Sequence, residues 1–251
     1  FYKIIWKLKK NNMIAFVLKR IDLKETDQII TLFTTEKGKL EVLSKGVKKI
    51  TSKNSACLEP FFLIEAEVIE GKEVKHLTKA VPIEIFKNIR EEMNKSFLAG
   101  YVCEILNIFL PVGAPEKKMF DLLFGFLNYL ENSKEAGRVL AISYLWKVLC
   151  LQGYLPVLKN CVICEEKNNL DYFSSLHGGC VCSNCKNKAG LLNKIISLTK
   201  EDKQNLKLLI TGVWAELKIE NKELKKQEEI LADFCAYHSQ KKVPALNFLV
   251  N

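Results

Sequence analysis

Two cysteine pairs, Cys161-Val-Ile-Cys164 and Cys182-Ser-Asn-Cys185, constrain this chain more than any other feature. A two-residue spacing lets two thiolates on one tight turn reach the same ion, and the interval between the pairs is that of a tetrahedral zinc ribbon. Whatever the chain folds into, it must bring these two turns to one point. Four protein ligands close the coordination sphere and leave no position for water or substrate, so the pattern predicts one structural Zn²⁺ per chain. Cys180 lies two residues before Cys182 and could replace it, but the paired spacing favours Cys182. Gly178 and Gly179 supply backbone freedom for the second turn, and His177 reads as a loop histidine. Four thiolates with Zn²⁺ carry about −2, which Lys159, Lys186 and Lys188 are placed to offset.

The 251 residues are enough for two or three small domains, and an apolar share of 48% is ordinary for a chain with a proper core. No apolar run approaches the ~20 residues of a bilayer span, so no membrane is expected. The most apolar segment, Val139 to Leu151, is interrupted by Ser143 and Lys147 and reads as a buried helix. Nine cysteines in a metal-type pattern, with no secretory signal, point to a reducing cytoplasm. Cys57, Cys103, Cys150 and Cys235 lie in apolar surroundings and are expected to pack. The opening FYKIIWKLKKNN, ahead of Met13, reads as an N-terminal extension.

Charge is unevenly spread. Residues 1 to 55 hold thirteen Lys or Arg against five Asp or Glu, whereas residues 56 to 85 hold three against six. A basic lobe in a chain of net charge +9 and pI ≈ 9.0 is suited to a polyanion.

From Met13 to about Ile85 the texture is short β runs with turn punctuation: IAFVLKR, QIITLFT, KLEVLSKGV, PFFLIEAEVIE and VKHLTKA. Lys37-Gly38 and Glu70-Gly71-Lys72 mark hairpin turns, and in the fourth strand Phe62, Ile64, Ala66 and Val68 alternate with Phe61, Leu63, Glu65 and Glu67, the signal of a sheet with one buried face. Five antiparallel strands in this length are the size of an OB-fold, with an SH3-like barrel as the structural alternative. The period then becomes helical. Phe97, Leu98, Tyr101, Val102, Ile105, Leu106 and Phe109 recur at three- and four-residue steps, Met119 to Leu130 repeats the pattern, and Leu140 to Leu151 is apolar nearly all round. Thr199-Lys-Glu-Asp202 is a helix start, and helices follow it. The expected architecture is α+β: an extension (1–12), a five-stranded OB-fold DNA-binding domain (13–85), and an α-helical domain in two parts (86–155 and 193–251). The four-cysteine zinc module (156–192) is inserted between those parts.

No catalytic constellation emerges from the sequence. His76, His177 and His238 stand without a nucleophile arrangement, and there is no Walker-type loop, so a non-enzymatic protein is expected. An enzyme such as a phosphodiesterase would need a second, open metal site. The basic residues are better suited to binding. Lys19 and Arg20 end the first strand, Lys37 and Lys39 flank a turn, and Lys45, Lys48, Lys49 and Lys53 line SKGVKKITSKNS, a polar segment expected to be mobile. Such lysines can follow a phosphate backbone. Phe16, Phe33, Phe61 and Phe62 lie within strand runs and read mostly as core, so base stacking is expected to be minor.

The run VLKRIDLKETDQIITLFTTEKGKLEVLSKGVKK followed by CLEPF, and QGYLPVLKNCVIC followed by GGCVCSNC, resemble the bacterial recombination mediator RecO family along nearly the whole chain after Met13. The resemblance implies a protein that binds single- and double-stranded DNA and anneals complementary strands. With RecR, it would help RecA replace single-stranded-DNA-binding protein in gap repair, with RecF a further candidate partner. It also implies a place in the bacterial cytoplasm, at the nucleoid. Departures touch the sites. Lys24 stands where the family commonly has Gly, Val47 and then Lys48-Lys49 stand where it often has paired Arg, and Ile142-Ser143-Tyr144 replaces an Arg-rich helix start. Lysine keeps the charge but loses bidentate phosphate geometry. The rival from another class is a zinc-ribbon transcription or ribosome-associated factor, which should prefer one nucleic-acid sequence or fold.

Overall fold

The computed structural model describes residues 12–134, 137–190 and 194–238. The extension read at 1–12 therefore lies outside them except for Asn12, which opens the first strand. The chain divides into two compact units between residues 135 and 136.

In the first unit, β1 (Asn12–Asp22), β2 (Gln28–Thr34), β3 (Gly38–Ser44), β4 (Leu63–Ile69) and β5 (Lys75–Glu84) close a barrel in the order β1-β2-β3-β5-β4. All neighbours are antiparallel except β3 and β5, which pair in parallel at Val42–Lys75 and Leu43–His76. This is the OB arrangement, and closure removes the exposed sheet edges. The β2–β3 turn is closed by Thr34, whose hydroxyl accepts from Lys37 N–H and donates to Gly38 C=O. Gly38 has φ +64°, and a Cβ there would lie 2.0 Å from the carbonyl oxygen of Ala114, so no other residue fits.

Strand β1 departs from simple alternation, because Met13 through Leu18 are all buried. The cause is a second layer outside the barrel. Helix α1 (Lys87–Glu91) is followed by α2 (Met93–Phe109) and α3 (Lys117–Asn132). Phe16 and Phe33 are cross-strand partners and both meet Phe120 of α3, at ring-centroid distances of 4.9 and 5.5 Å. Glu131 of α3 accepts from the N–H groups of Asn88 and Ile89, satisfying the open start of α1. The helical period that begins near residue 86 thus feeds two different units: α1 to α3 belong with the barrel, and the next helix belongs to the second unit.

That second unit is built around α4 (Arg138–Leu151), whose residues Leu140 to Trp146 are all buried. Around it lie α6 (Lys200–Thr211) and α7 (Asn221–His238), while the cysteine segment carries β6 (Tyr172–Ser174), β7 (Gly179–Val181) and the short α5 (Lys186–Gly190). Strand β8 (Ile196–Ser197) completes a three-stranded sheet in the order β7-β6-β8. The two polar interruptions of α4 have a use. Ser143 Oγ donates to Leu209 C=O, and Lys147 Nζ donates to the carbonyls of Ile210 and Gly212, so one face of α4 caps the carbonyl end of α6. Trp146 and Phe173 both pack on Phe234, which ties helix and cysteine segment to one core.

Helix α6 begins with a capping box in which Thr199 accepts from Asp202 N–H and Asp202 accepts from Thr199 N–H. Asp202 also takes Lys226 Nζ at 2.6 Å. Burial pushes its carboxyl up, but the Lys226 and Thr199 bonds outweigh this and hold it below its ordinary 3.8. The folded carboxyl is therefore more acidic than the unfolded one. Its stabilisation is complete above pH 3.8 and is lost as the pH falls through the lower folded value. Asp202→Ala is expected to cost about 2 kcal/mol in urea unfolding at neutral pH, and Asp202→Asn, which keeps the cap but not the ion pair, roughly half of that.

Candidate metal centre and nucleic-acid interface

The first cysteine turn is locked by Glu165, which donates its N–H to Cys161 C=O with φ +63°, and by Cys161 N–H donating to Glu166 C=O at 2.7 Å. Val162 N–H donates to Cys180 C=O, fastening this turn to β7. The second turn closes when Cys185 N–H donates to Cys182 C=O. Ahead of it, Gly178 has φ +76° in the β6–β7 hairpin.

The result is that Sγ of Cys161, Cys164, Cys182 and Cys185 all lie within 4.8 Å of one another. The Cys164–Cys182 separation is 3.6 Å. Tetrahedral zinc with Zn–S bonds of ~2.3 Å needs sulfurs about 3.8 Å apart, so these donors fit such an ion in number, type and spacing. Three of the four are buried and Cys164 is exposed. Burial pushes the Cys161 thiol up, but the N–H groups of Cys182, Cys164 and Ile163 outweigh it and bring it down to about 6. The Cys185 thiol is pushed up to about 12, by the Cys164 sulfur first and by burial next. Four thiols this close cannot all ionise without a cation among them.

Cys180 stands outside this group, buried in β7, with burial pushing its thiol up to about 11. Burial likewise takes Cys103 and Cys235 to about 12. His177 is also outside the group. Its Nδ1 lies 2.9 Å from Ser174 Oγ, a serine–histidine contact that sequence spacing did not suggest, and full burial of Ser174 makes it a turn closure with no access for substrate. Of the lysines expected to balance the thiolates, Lys186 lies over the Tyr172 ring at 4.6 Å.

The eight basic residues expected to bind DNA are not gathered at one place on the barrel. Strands β2 and β3 separate Lys37 and Lys39, at one end of the barrel, from Lys45, Lys48 and Lys49 at the other, roughly 20 Å away over seven residues. Lys39 is half-buried and donates to Asn107 C=O at 2.7 Å, while its own carbonyl accepts from Gly113 N–H. It anchors the α2–α3 connection. Arg20 pairs with Glu59, and Lys48 with Asp22, each at 2.6 Å on the surface. Lys19, Lys37, Lys45, Lys49 and Lys53 are exposed and form no ion pair among the described residues. A β-bulge between Val17 and Lys19 shifts the register where the buried run ends, and Lys19 and Arg20 are both exposed beyond it.

The segment expected to be mobile is pinned instead. Gly46 N–H donates to Asp27 Oδ1 at 2.7 Å, Lys48 N–H donates to Thr26 C=O, and Val47 is buried. Farther along, Asn54 bonds β5 through Ala80 N–H and Thr78 C=O. The Gly46 bond holds the Asp27 carboxyl below the usual range, so the anchor stays ionised at neutral pH. These bonds set the β3 exit against the β1–β2 turn and bring Lys24, uncounted in the sequence reading, to the same end as Lys45, Lys48 and Lys49. The signal for that proximity is the pair of successive hairpins, which set the β1–β2 turn beside the β3 exit. Phe16, Phe33, Phe61 and Phe62 are all buried.

Comparison with known proteins agrees with this architecture. Residues 9–86 match the family described as "Recombination protein O N terminal" and residues 90–247 match "Recombination protein O C terminal". The chain is 35% identical to the DNA repair protein RecO of Thermoanaerobacter sp. (strain X514), over 69% of this chain and 70% of the relative. It is 33% identical to that of Caldanaerobacter subterraneus subsp. tengcongensis over 72% and 74%. With the RecO of Pelotomaculum thermopropionicum the match, 29% identical, spans 94% and 91%. A barrel unit and a cysteine-bearing helical unit in this order, each matched along its length, place the chain in the RecO family of DNA repair and recombination proteins.

Proposed function

We propose that the chain is a non-enzymatic recombination mediator that binds single- and double-stranded DNA without sequence preference and anneals complementary strands. With RecR it would promote RecA loading on DNA coated by single-stranded-DNA-binding protein, in the bacterial cytoplasm. The observation that carries the reading is the barrel end where Lys24, Lys45, Lys48 and Lys49 converge while every barrel phenylalanine is buried. Annealing requires two polyanions to approach. Lysines that neutralise phosphates lower that repulsion, and with Phe16, Phe33, Phe61 and Phe62 buried in the barrel the bases there stay free to pair. A Zn²⁺ held by Cys161, Cys164, Cys182 and Cys185 would supply folding energy to the second unit and no chemistry. Among the described residues no helix is long and apolar enough to cross a membrane.

Binding is expected to be governed by salt. With about five phosphates neutralised, the slope of log affinity against log salt on single strands should be near −3.5. Fluorescence anisotropy with oligonucleotides of mixed composition measures it. A shallow slope, or strong preference for one sequence, would favour a zinc-ribbon transcription or ribosome-associated factor.

A further inference from the structure

Past the lysine-rich turns the chain runs through a 3-10 turn (Ser55–Cys57) to Glu59, and beside Glu59 the barrel unit carries a cleft of about 340 Å³. It is lined by Arg20 and Glu59, by Pro60 and Phe61, and by Arg90 at the end of α1. Gly100 of α2 borders it, and nothing lies within 4 Å of where its Cβ would be.

Three features suit this cleft to a ligand. Arg90 is exposed and makes no ion pair among the described residues, yet its guanidinium is oriented by the Phe62 ring at 5.1 Å. Arg20 is held at 2.6 Å by Glu59, and both side chains stay about one-third exposed, at 37% and 35%. Phe61 adopts φ +62°, a left-handed conformation uncommon for an aromatic residue, and is held there by its N–H donating to Val17 C=O. Strain of this kind persists where the surroundings over-determine it, and it concentrates at binding sites.

We propose that this cleft binds one phosphodiester of a DNA strand, with Arg90 as its constant ligand and Arg20 shared between the phosphate and Glu59. The proposal rests on the DNA-binding reading above and extends the phosphate track from the lysine turns to α1. Two guanidinium groups and one carboxylate leave a single positive charge, which matches a phosphodiester monoanion and would be overmatched by a dianionic phosphomonoester. Arginine presents paired N–H donors to two phosphate oxygens, and the Arg90 guanidinium already rests over the Phe62 ring.

The test is anisotropy with a fluorescein-labelled oligo-dT across a salt series, using full-length wild type and Arg90→Gln, Arg90→Lys and Glu59→Gln variants, with melting curves to verify folding. Arg90→Gln should weaken binding about fivefold at 0.1 M salt and make the salt slope shallower by about 0.7. Arg90→Lys should keep the slope but bind more weakly than wild type. Glu59→Gln should bind more tightly, because it frees Arg20; an Arg90 that served only to pack on Phe62 would leave the salt slope of Arg90→Gln unchanged. Folded Arg90→Gln with an unchanged slope, together with Glu59→Gln that binds no tighter, overturns the cleft and leaves the lysine site standing. Absence of salt-dependent binding in wild type overturns the DNA-binding reading itself.

Discussion

Replacing Cys161 by serine is expected to abolish metal binding and unfold the cysteine segment of the second unit. A structural zinc site supplies about 10–16 kcal/mol of apparent binding energy in small zinc peptides, as much as the whole stability of a typical domain. The segment is otherwise held by short strands and their packing. Its strands β6, β7 and β8 have three, three and two residues, and Phe173 against Phe234 is a principal apolar tie. Metal content by atomic absorption should fall from one zinc per chain to none, and limited proteolysis should cut first between Val157 and Leu198. Cys180→Ser should keep its metal, since Cys180 stands outside the four-sulfur group. Zinc retained in Cys182→Ser but lost in Cys180→Ser would show that the other thiol is the ligand.

The second large effect is expected from Lys45, Lys48, Lys49 and Lys53 replaced together by alanine. Four lost phosphate contacts at ~0.7 each make the single-strand salt slope shallower by about 2.8, which is on the order of 10²- to 10³-fold in affinity at 0.1 M salt. Single substitutions should each cost under tenfold, because each contact is screened and replaceable. Lys48→Ala should be the mildest, since Lys48 is already engaged with Asp22. The barrel should survive, because its anchors here are the Gly46 and Lys48 backbone N–H groups and the buried Val47, none of which is altered. Circular dichroism on the same preparation verifies this. Unchanged affinity in a folded quadruple variant would move the DNA site to Lys19, Arg20 and Lys37, or off the barrel.

What could be read from the sequence was what local chemistry dictates. The cysteine spacing, the Thr199–Asp202 capping box and the five strand runs with their glycine turns each depend on neighbours a few residues away, and each appears in the structure. What could not be read depends on partners distant in sequence. Continuous burial of β1 requires Phe120, more than a hundred residues later, and the helical period gives no sign that α3 belongs to the barrel unit and α4 to the other. The same limit affected the charges. Lys37 and Lys39 look like neighbours of Lys45, yet hairpin geometry sends them to the opposite end, and Asn107 claims Lys39. Arg90 sits in an unremarked helical stretch, and only folding brings it beside Arg20.

The central claim is that this chain lets two phosphate-bearing strands meet, and the direct measurement is annealing of complementary oligonucleotides already coated with single-stranded-DNA-binding protein. The protein should accelerate duplex formation for unrelated sequences alike, with the rate falling as salt rises and collapsing in the quadruple lysine variant. Duplex formation no faster than in its absence, or acceleration confined to one sequence, would contradict the account.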